Sequence, residues 1–165
     1  MSRPPPDPAE LTPSSARSLV LRWLGQRELT ASQARLRLRR RHYPDDAITT
    51  ALTALVASGV LDDHRAARAR ARHDVAIKRQ GRGRVLRQVQ ALGVDRDTAE
   101  AAIAAVFADV DEDRLLADAL TRRLRGQPLP SDRKALGRLY GWLVRQGFDP
   151  AKVSALFRRG GRDVE

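Results

Sequence analysis

The sequence has no cysteine, only three lysines and only seven aromatic residues among its 165. Without thiols the chain can form no disulfide, has no cysteine nucleophile and offers no cysteine ligand to zinc. We therefore expect a protein of the reducing cytoplasm. Because aromatic rings are few, leucine, valine, isoleucine and alanine must fill the core, and a hydrophobic content of 42% is enough to build one.

Long apolar runs are also missing. No stretch approaches the roughly 20 apolar residues that span a bilayer, and the start of the chain lacks the apolar segment that a signal peptide needs. We therefore expect no membrane association. Five of the nine prolines fall within residues 1–13. This segment is predicted to be a disordered tail, because proline cannot continue a helix and the segment has little apolar surface to bury.

Strand-forming patterns are scarce, whereas alanine and leucine, both strong helix formers, recur at helical spacing. The apolar periodicity predicts an all-α protein of about nine helices. Within it, one motif occurs three times: an apolar helix, then glycine or a substitute, then an aromatic or β-branched residue, then another helix. The residues after the glycine position are Tyr43, Val94 and Phe148, which lie 51 and 54 residues apart.

A period near 50 residues is typical of small helical units stacked in series, because one such unit cannot bury its apolar face alone. We predict an elongated tandem array of three three-helix units over residues 14–61, 62–108 and 109–158, with a frayed tail over 159–165. Gly93 and Gly147 follow a helix at matching repeat positions, where a left-handed backbone is expected. We expect the protein to be a monomer.

Several polar residues have the properties of helix caps. Thr30 and Gln33 have the spacing of a capping box that opens the second helix. The pair Asp62 and Asp63 is predicted to start the fourth helix, which should then run to about residue 79, and Ser131 is predicted to cap the eighth helix. The glycines around residues 81–83 are predicted to form a loop between the fourth and fifth helices.

The formal charge is +11, and arginine supplies almost all of the positive residues. Residues 64–93 contain nine basic residues and one acid, whereas residues 94–119 contain eight acids and two arginines. Compositional drift towards arginine would spread the charge evenly, so this segregation favours a surface that attracts polyanions.

Two sets of arginines are candidate contact residues. On a helix that advances 100° per residue, Arg65, Arg68, Arg72 and Arg79 fall within an arc of about 60°. Arg82 and Arg84 continue this set into the following loop. The alternative interpretation is a solvated helix face. Such a face usually carries acidic and basic residues together at i,i+4 spacing, and acidic residues are nearly absent here. The candidates for a basic face are Arg65, Arg68, Arg72, Arg79, Arg82 and Arg84 in the second unit, and Arg35, Arg37, Arg39, Arg40 and Arg41 in the first.

Catalytic patterns are weak. Neighbouring carboxylates such as Asp62 and Asp63 at a helix start point in different directions, and an N-cap role accounts for one of them. The three histidines fall on separate elements, and the glycines near residue 82 lack the third glycine and the preceding strand of a dinucleotide site. We expect no enzyme activity, no metal and no cofactor.

Taken together, these residues resemble the RecX family of RecA regulators. The most specific part is the segment from Gly59 to Ala67, which is similar to the family pattern Gly-x-Leu-Asp-Asp-x-Arg-Phe-Ala, followed by Gly93-Val94 and Gly147-Phe148. The chain departs from the family at Ala66, Ala34 and His42, which replace the usual Phe, Leu and Gly, so looser packing is expected there.

The resemblance implies a nine-helix, non-enzymatic protein that binds the RecA recombinase and its filament on single-stranded DNA and represses DNA recombination and repair activities. Two alternatives stay open from the residues alone. One is a direct DNA-binding protein built of helix-turn-helix-like units, and the other is a purely structural adaptor. The basic helices carry few Asn or Gln side chains that could read bases, which favours contacts to phosphate or protein.

Overall fold

The computed structural model describes residues 10–160, and these form nine α-helices and no strand, as predicted. The helices are α1 Pro13–Leu24, α2 Ala31–Arg39, α3 Asp45–Ala57, α4 Asp63–Ala76, α5 Arg82–Gln90, α6 Arg96–Phe107, α7 Glu112–Leu124, α8 Arg133–Arg145 and α9 Pro150–Gly160. The predicted tails lie outside the described residues, except for 10–13 and 159–160. None of the described helices is long and apolar enough to cross a membrane.

Local capping chemistry explains where most helices begin. Thr12 opens α1 with a capping box to Ser15, and Thr30 opens α2 with the predicted capping box to Gln33. Aspartates cap α4, α6, α7 and α8 by accepting backbone N–H groups of the first turn. The predicted cap of α8 at Ser131 is wrong by one residue, because the Asp132 carboxylate accepts the amide N–H of Ala135 at 2.8 Å.

The helices pack in consecutive groups along the chain. α1 and α2 pack on α3, α4 and α5 pack on α6, and α7 packs with α8 and α9. The N-caps of α2, α5 and α8 are Thr30, Gly81 and Asp132, which follow one another at intervals of 51 residues. The starts of these three helices therefore recur at a constant interval within the described residues.

The apolar core is in two parts. One cluster joins α1, α2 and α3 through buried side chains such as Val20, Leu38, Ile48 and Leu55, and Leu61 closes it. The other cluster runs without a break from α4 to α9. Helices α4–α9 therefore share one core, whereas α1–α3 have their own.

Two junctions connect the groups, and both place the end of one helix against the start of another. At the first, the Thr30 hydroxyl donates to the Leu92 carbonyl at 2.7 Å, and the Ala31 amide donates to the Asp63 carboxylate at 2.8 Å. Gly93 lies there with a φ of +80°, against Ser32. The start of α2 is thus held by the start of α4 and the end of α5.

The second junction uses the equivalent parts of α5 and α8. The Gly81 amide donates to the Gln146 carbonyl at 2.9 Å, and the Gly83 amide donates to the Gly147 carbonyl at 3.1 Å. Gly147 has a φ of +93° and lies against Arg84. In the first group, His42 follows α2 with a φ of 64° and is exposed.

Helix α4 is shorter than predicted. It ends at Ala76, and Arg79 adopts a left-handed φ of 53° while the Gln80 amide bonds back to the Asp74 carbonyl at 3.2 Å. The predicted loop at residues 81–83 is also corrected, since Gly81 caps α5 and the helix already begins at Arg82. Arg79 therefore lies in the turn after α4, and Arg82 and Arg84 lie on the first turn of α5.

Candidate nucleic-acid and protein interface

Arg65 is a tether rather than a free cation. Its Nε donates to Glu28 Oε1 at 2.7 Å, and its Nη2 donates to the Val60 carbonyl at 2.7 Å. A third donor reaches the Gly59 carbonyl at 3.3 Å. The guanidinium thus joins the start of α4 to the loop before α2 and to the turn after α3. The hydrogen bond to Glu28 also raises the pKa of Arg65.

Asp62 and Asp63 stabilise the same region, where the start of α4 lies beside the start of α2. Asp62 caps α4 by accepting the Arg65 amide at 3.0 Å, and this backbone hydrogen bond holds the pKa of Asp62 below its usual value. Asp63 instead accepts the amide of Ala31, the first residue of α2. The two adjacent carboxylates point to different helix starts.

The arginines of the first group are mostly engaged within that group. Arg39 pairs with Asp45 at 2.8 Å, and Arg35 donates to the Thr49 hydroxyl at 3.2 Å. The others lie over an aromatic ring or in solvent: the guanidinium carbons of Arg37 and Arg41 are 5.4 and 5.8 Å from the Trp23 ring centroid, and Arg40 is exposed. Stacking on Trp23 leaves one face of each guanidinium available.

Arg82 and Arg84 support the packing of α5. Arg82 pairs with Glu112 at 3.1 Å and lies 4.8 Å from the centroid of the Phe107 ring. Arg84 donates to the Arg145 carbonyl at 3.3 Å, and its Nε is buried. These contacts link α5 to the end of α6, the start of α7 and the end of α8.

Arg68 and Arg72 are different. Both are exposed on α4, and neither side chain makes a hydrogen bond or an ion pair with another residue in the described range. They are one turn apart on the same helix face. Among the candidates on α4 itself, these two arginines remain available to an external anion.

One buried carboxylate lies behind this helix. Asp74 is fully buried, its Oδ2 accepts Arg70 Nε at 2.6 Å, and Lys78 Nζ lies 2.8 Å from its Oδ1. Arg70 also donates to Gln88 on α5 at 2.9 Å. This small network joins α4 to α5 and uses two of the basic residues that the sequence places in the cationic segment.

A basic cavity that sequence analysis missed lies beyond the end of α4. It has a volume of about 200 Å³ and is lined by Lys78, Arg79, Ala119, Arg122, Arg123, Arg125 and Trp142. We call it the α4–α7 cleft. Arg79 and Arg125 lie 46 residues apart in the sequence, so only the packing of α7 beside the end of α4 brings these cations together. The basic residues of α7 were visible in the sequence, but their neighbours were not.

The residues that the structure describes contain no cluster of metal-ligating side chains. No three His, Cys, Asp or Glu side chains between residues 10 and 160 converge on a point where they could hold a metal ion. All three histidines, His42, His64 and His73, are exposed, and they do not cluster. The charged surface is suited to binding.

The chain is similar to several known proteins, although no protein-family model matches it. The regulatory protein RecX of Mycobacterium avium (strain 104) is 33% identical over 150 aligned residues, which cover 89% of this chain and 86% of that protein. RecX of Mycolicibacterium vanbaalenii is 31% identical over 153 residues, covering 87% of this chain and 83% of that protein.

Two solved structures share the fold. The crystal structure of RecX from Lactobacillus salivarius has a TM-score of 0.71 at 18% identity and covers 90% of this chain and 96% of that one. A second crystal structure of a regulatory protein RecX has a TM-score of 0.71 at 23% identity, over 89% of this chain and 71% of that chain. The nine-helix arrangement of the described residues is therefore the fold of these proteins.

Proposed function

Since this chain belongs to the RecX family of regulatory proteins, we propose that it binds the RecA recombinase and its filament on single-stranded DNA and inhibits their activity in recombination and repair. The observation that carries the proposal is the identity of 33% to a RecX protein over nearly the whole chain. The protein acts in this proposal as a cytoplasmic binding partner and not as an enzyme.

The charge distribution supports a partner that presents anions. A RecA filament on DNA offers nucleic-acid phosphates together with the carboxylates of the recombinase. Arg68 and Arg72 lie free on α4 and are suited to either group, because a guanidinium binds phosphate and carboxylate in the same planar geometry. We assign the first contact to these two arginines.

The three helix groups act in this proposal as three linked contact units of one monomer. Each unit alone would present a small surface, but connected units bind with a high effective local concentration once one has engaged. The junction at Gly93 joins the first unit to the second, and the junction at Gly147 together with the shared core of α4–α9 joins the second unit to the third.

Direct sequence-specific DNA recognition is less well supported. Base readout needs exposed amide side chains or arginines placed on base edges in a groove. Gln80 is buried at 5% exposure, and Gln88 accepts a hydrogen bond from Arg70, so neither side chain is free to read a base. Contacts to the phosphate backbone or to protein are the better match.

The test is the effect of the purified protein on ATP hydrolysis by RecA on single-stranded DNA and on strand exchange. We expect inhibition at or below one protein per RecA monomer. Arg68→Glu combined with Arg72→Glu should keep the helical circular dichroism spectrum and lose inhibition. The matched control is Arg17→Glu with Arg22→Glu, which reverses the same charge at two exposed positions of α1.

The control pair should inhibit as the unmodified protein does. If the unmodified protein leaves the RecA ATPase unchanged, the proposed function is wrong. If the Arg68 and Arg72 double variant is folded and inhibits normally, the function stands and the assignment of these two residues is wrong.

A further inference from the structure

We propose that the α4–α7 cleft is a binding site for phosphate groups of a nucleic-acid strand. This proposal deepens the proposed function, on which the choice of a strand as ligand depends. The cleft is distinct from the free face of Arg68 and Arg72, and five of its seven lining residues are cationic: Lys78, Arg79, Arg122, Arg123 and Arg125.

The protein neutralises only one of the five cations of the cleft within the described residues. Of its five cations only Lys78 has a carboxylate within ion-pair distance among the described residues, and that carboxylate is the buried Asp74. Arg122 donates to the Ile77 carbonyl at 2.6 Å, and Arg79 donates to the Ala76 carbonyl. These neutral carbonyls orient the guanidinium groups and leave their charge in place, which is the arrangement expected of an anion site.

The backbone gives an independent reason to assign a role to two of these arginines. Within residues 10–160 only three residues other than glycine have a positive φ, and two of them, Arg79 and Arg125, line this cleft with a φ of 53° each. Glycine adopts this conformation without the steric strain that a Cβ atom introduces. The presence of arginine rather than glycine at both of these positions, around one cavity, favours a role for the two side chains there.

The shape of the site favours a strand over a single free anion. A second cavity of about 300 Å³ adjoins the first, shares Arg123 and Trp142 with it, and adds Arg138 to the lining. The guanidinium of Arg123 lies over the Trp142 ring at 5.4 Å, which holds this cation between the two cavities. The other residues that line the second cavity are uncharged, so the two joined cavities offer cations for phosphates and, beside them, the Trp142 ring and apolar side chains for bases.

The first test is binding of a short fluorescent oligothymidylate by the protein alone, followed by anisotropy at several salt concentrations. We expect the affinity to fall with salt, with a log–log slope of about −0.7 for each phosphate contacted. The key variant is Arg79→Gly with Arg125→Gly. Glycine removes both cations and relieves both left-handed positions. This variant should therefore bind the oligonucleotide about ten-fold more weakly or worse, with a shallower slope, at an unchanged or higher melting temperature.

Two controls test whether a loss of binding comes from the cleft itself, and not from the lower net charge or from the relieved backbone. Arg17→Gln with Arg22→Gln removes the same charge from α1 and should change affinity little. His42→Gly relieves the third left-handed residue, at φ 64°, far from the cleft in the sequence, and should leave binding unchanged. Inorganic phosphate as competitor tests the source of the ligand and should displace the oligonucleotide only at a large molar excess.

Equal affinities for the glycine double variant and the α1 control would overturn the proposal. So would a fall in melting temperature with oligonucleotide binding retained, since the arginines would then be helix caps. If equimolar phosphate displaces the oligonucleotide, the ligand of the cleft is a free anion and not a strand. If the glycine double variant binds the oligonucleotide normally but no longer inhibits RecA, the ligand is a set of protein carboxylates. Strand binding through the cleft by a protein without effect on RecA would refute the proposed function and leave the cleft standing.

Discussion

Gly81 and Gly147 lie with their backbones in direct contact, so that a Cβ atom on Gly81 would come within 2.6 Å of the carbonyl group of Gly147. The contact places the end of α8 on the start of α5, and two backbone hydrogen bonds hold it. At the first junction Gly93 lies in the same way at the start of another helix, α2, but there it faces the Ser32 side chain and not a backbone. Glycine is required at Gly147 for two reasons, its positive φ and the closeness of a neighbouring backbone.

The two junction glycines should differ in their tolerance of a side chain. A Cβ atom at Gly147 meets the backbone of Arg84 and comes within 2.8 Å of the Gly81 carbonyl oxygen, whereas at Gly93 it meets only the Ser32 side chain. We expect Gly147→Ala to lower the free energy of unfolding by about 2 to 4 kcal/mol, from positive φ and overpacking together. Gly93→Ala should cost less, and urea denaturation measures both.

A second substitution tests the cause of the clash at Gly93. Ser32→Gly removes the atoms that an alanine at this position would meet, so the double variant should be more stable than the sum of the two single effects predicts. The same Ser32→Gly change should show no coupling with Gly147→Ala, because the two sites share no contact. Additive effects in both pairs would contradict the steric explanation.

Arg65 should contribute to the stability of the fold, whereas Arg68 and Arg72 on the same helix should not. Arg65→Ala removes hydrogen bonds to Glu28 and to the Val60 and Gly59 carbonyls, and we expect it to lower stability by about 1 to 2 kcal/mol. Arg68→Ala and Arg72→Ala should each stay within about 0.5 kcal/mol of the original, as exposed residues without partners do. Thermal melting of the three variants decides this, and equal effects would mean that the tether contributes nothing.

The buried Asp74 should be sensitive to the loss of its cations. Replacing Arg70 and Lys78 together by methionine leaves a fully buried carboxylate without a counter-ion, and we expect a loss of about 3 to 5 kcal/mol. Asp74→Ala should cost less, since both cations are partly exposed and can reach water. If Asp74→Ala lowers stability more than the double methionine variant does, the ion pairs do not determine the stability of this network.

The cap of α6 should make stability depend on pH. The Thr98 hydroxyl and amide donate to the Asp95 carboxylate at 2.6 and 2.8 Å, and these hydrogen bonds lower its pKa from the ordinary 3.8. A lowered pKa in the folded state means that the stabilisation is complete above the ordinary value and is lost as the pH falls through the lowered one.

Asp95→Asn keeps an oxygen acceptor for the helix start but does not titrate. We therefore expect the original protein to melt at a higher temperature than this variant at neutral pH, and the two melting temperatures to converge as the pH is lowered to about 2. A constant difference over this range would show that the Asp95 charge does not contribute to the fold.

Helix starts were the most predictable part of the fold. Thr30 and Asp62 act through their own first turns, so the residues that form each cap are close together in the sequence. The one-residue error at Ser131 has the same origin, because Asp132 beside it is an equally good cap and only the geometry of the turn distinguishes the two. The end of α4 was harder to place, since Arg79 adopts a conformation that sequence rules reserve for glycine.

The candidate site was predictable only in part. The charge segregation and the shared helix face of Arg68 and Arg72 follow from residues within one helix. The engagement of Arg65 by Glu28 and of Arg82 by Glu112 could not be inferred, because these partners lie 37 and 30 residues away. The α4–α7 cleft was missed for the same reason.

By itself the sequence determined that the protein is helical, that most of its helices start where they do and that its family is RecX, because capping residues, apolar spacing and motif residues act over a few positions. Tertiary structure decided which arginines are tethers and which are free. It also decided that Arg79 and Arg125 line one cavity and that α4–α9 share a single core. Contacts between distant residues depend on how the helices pack, and that packing is set at junctions such as Gly81 with Gly147, where a few atoms determine the approach of whole helices.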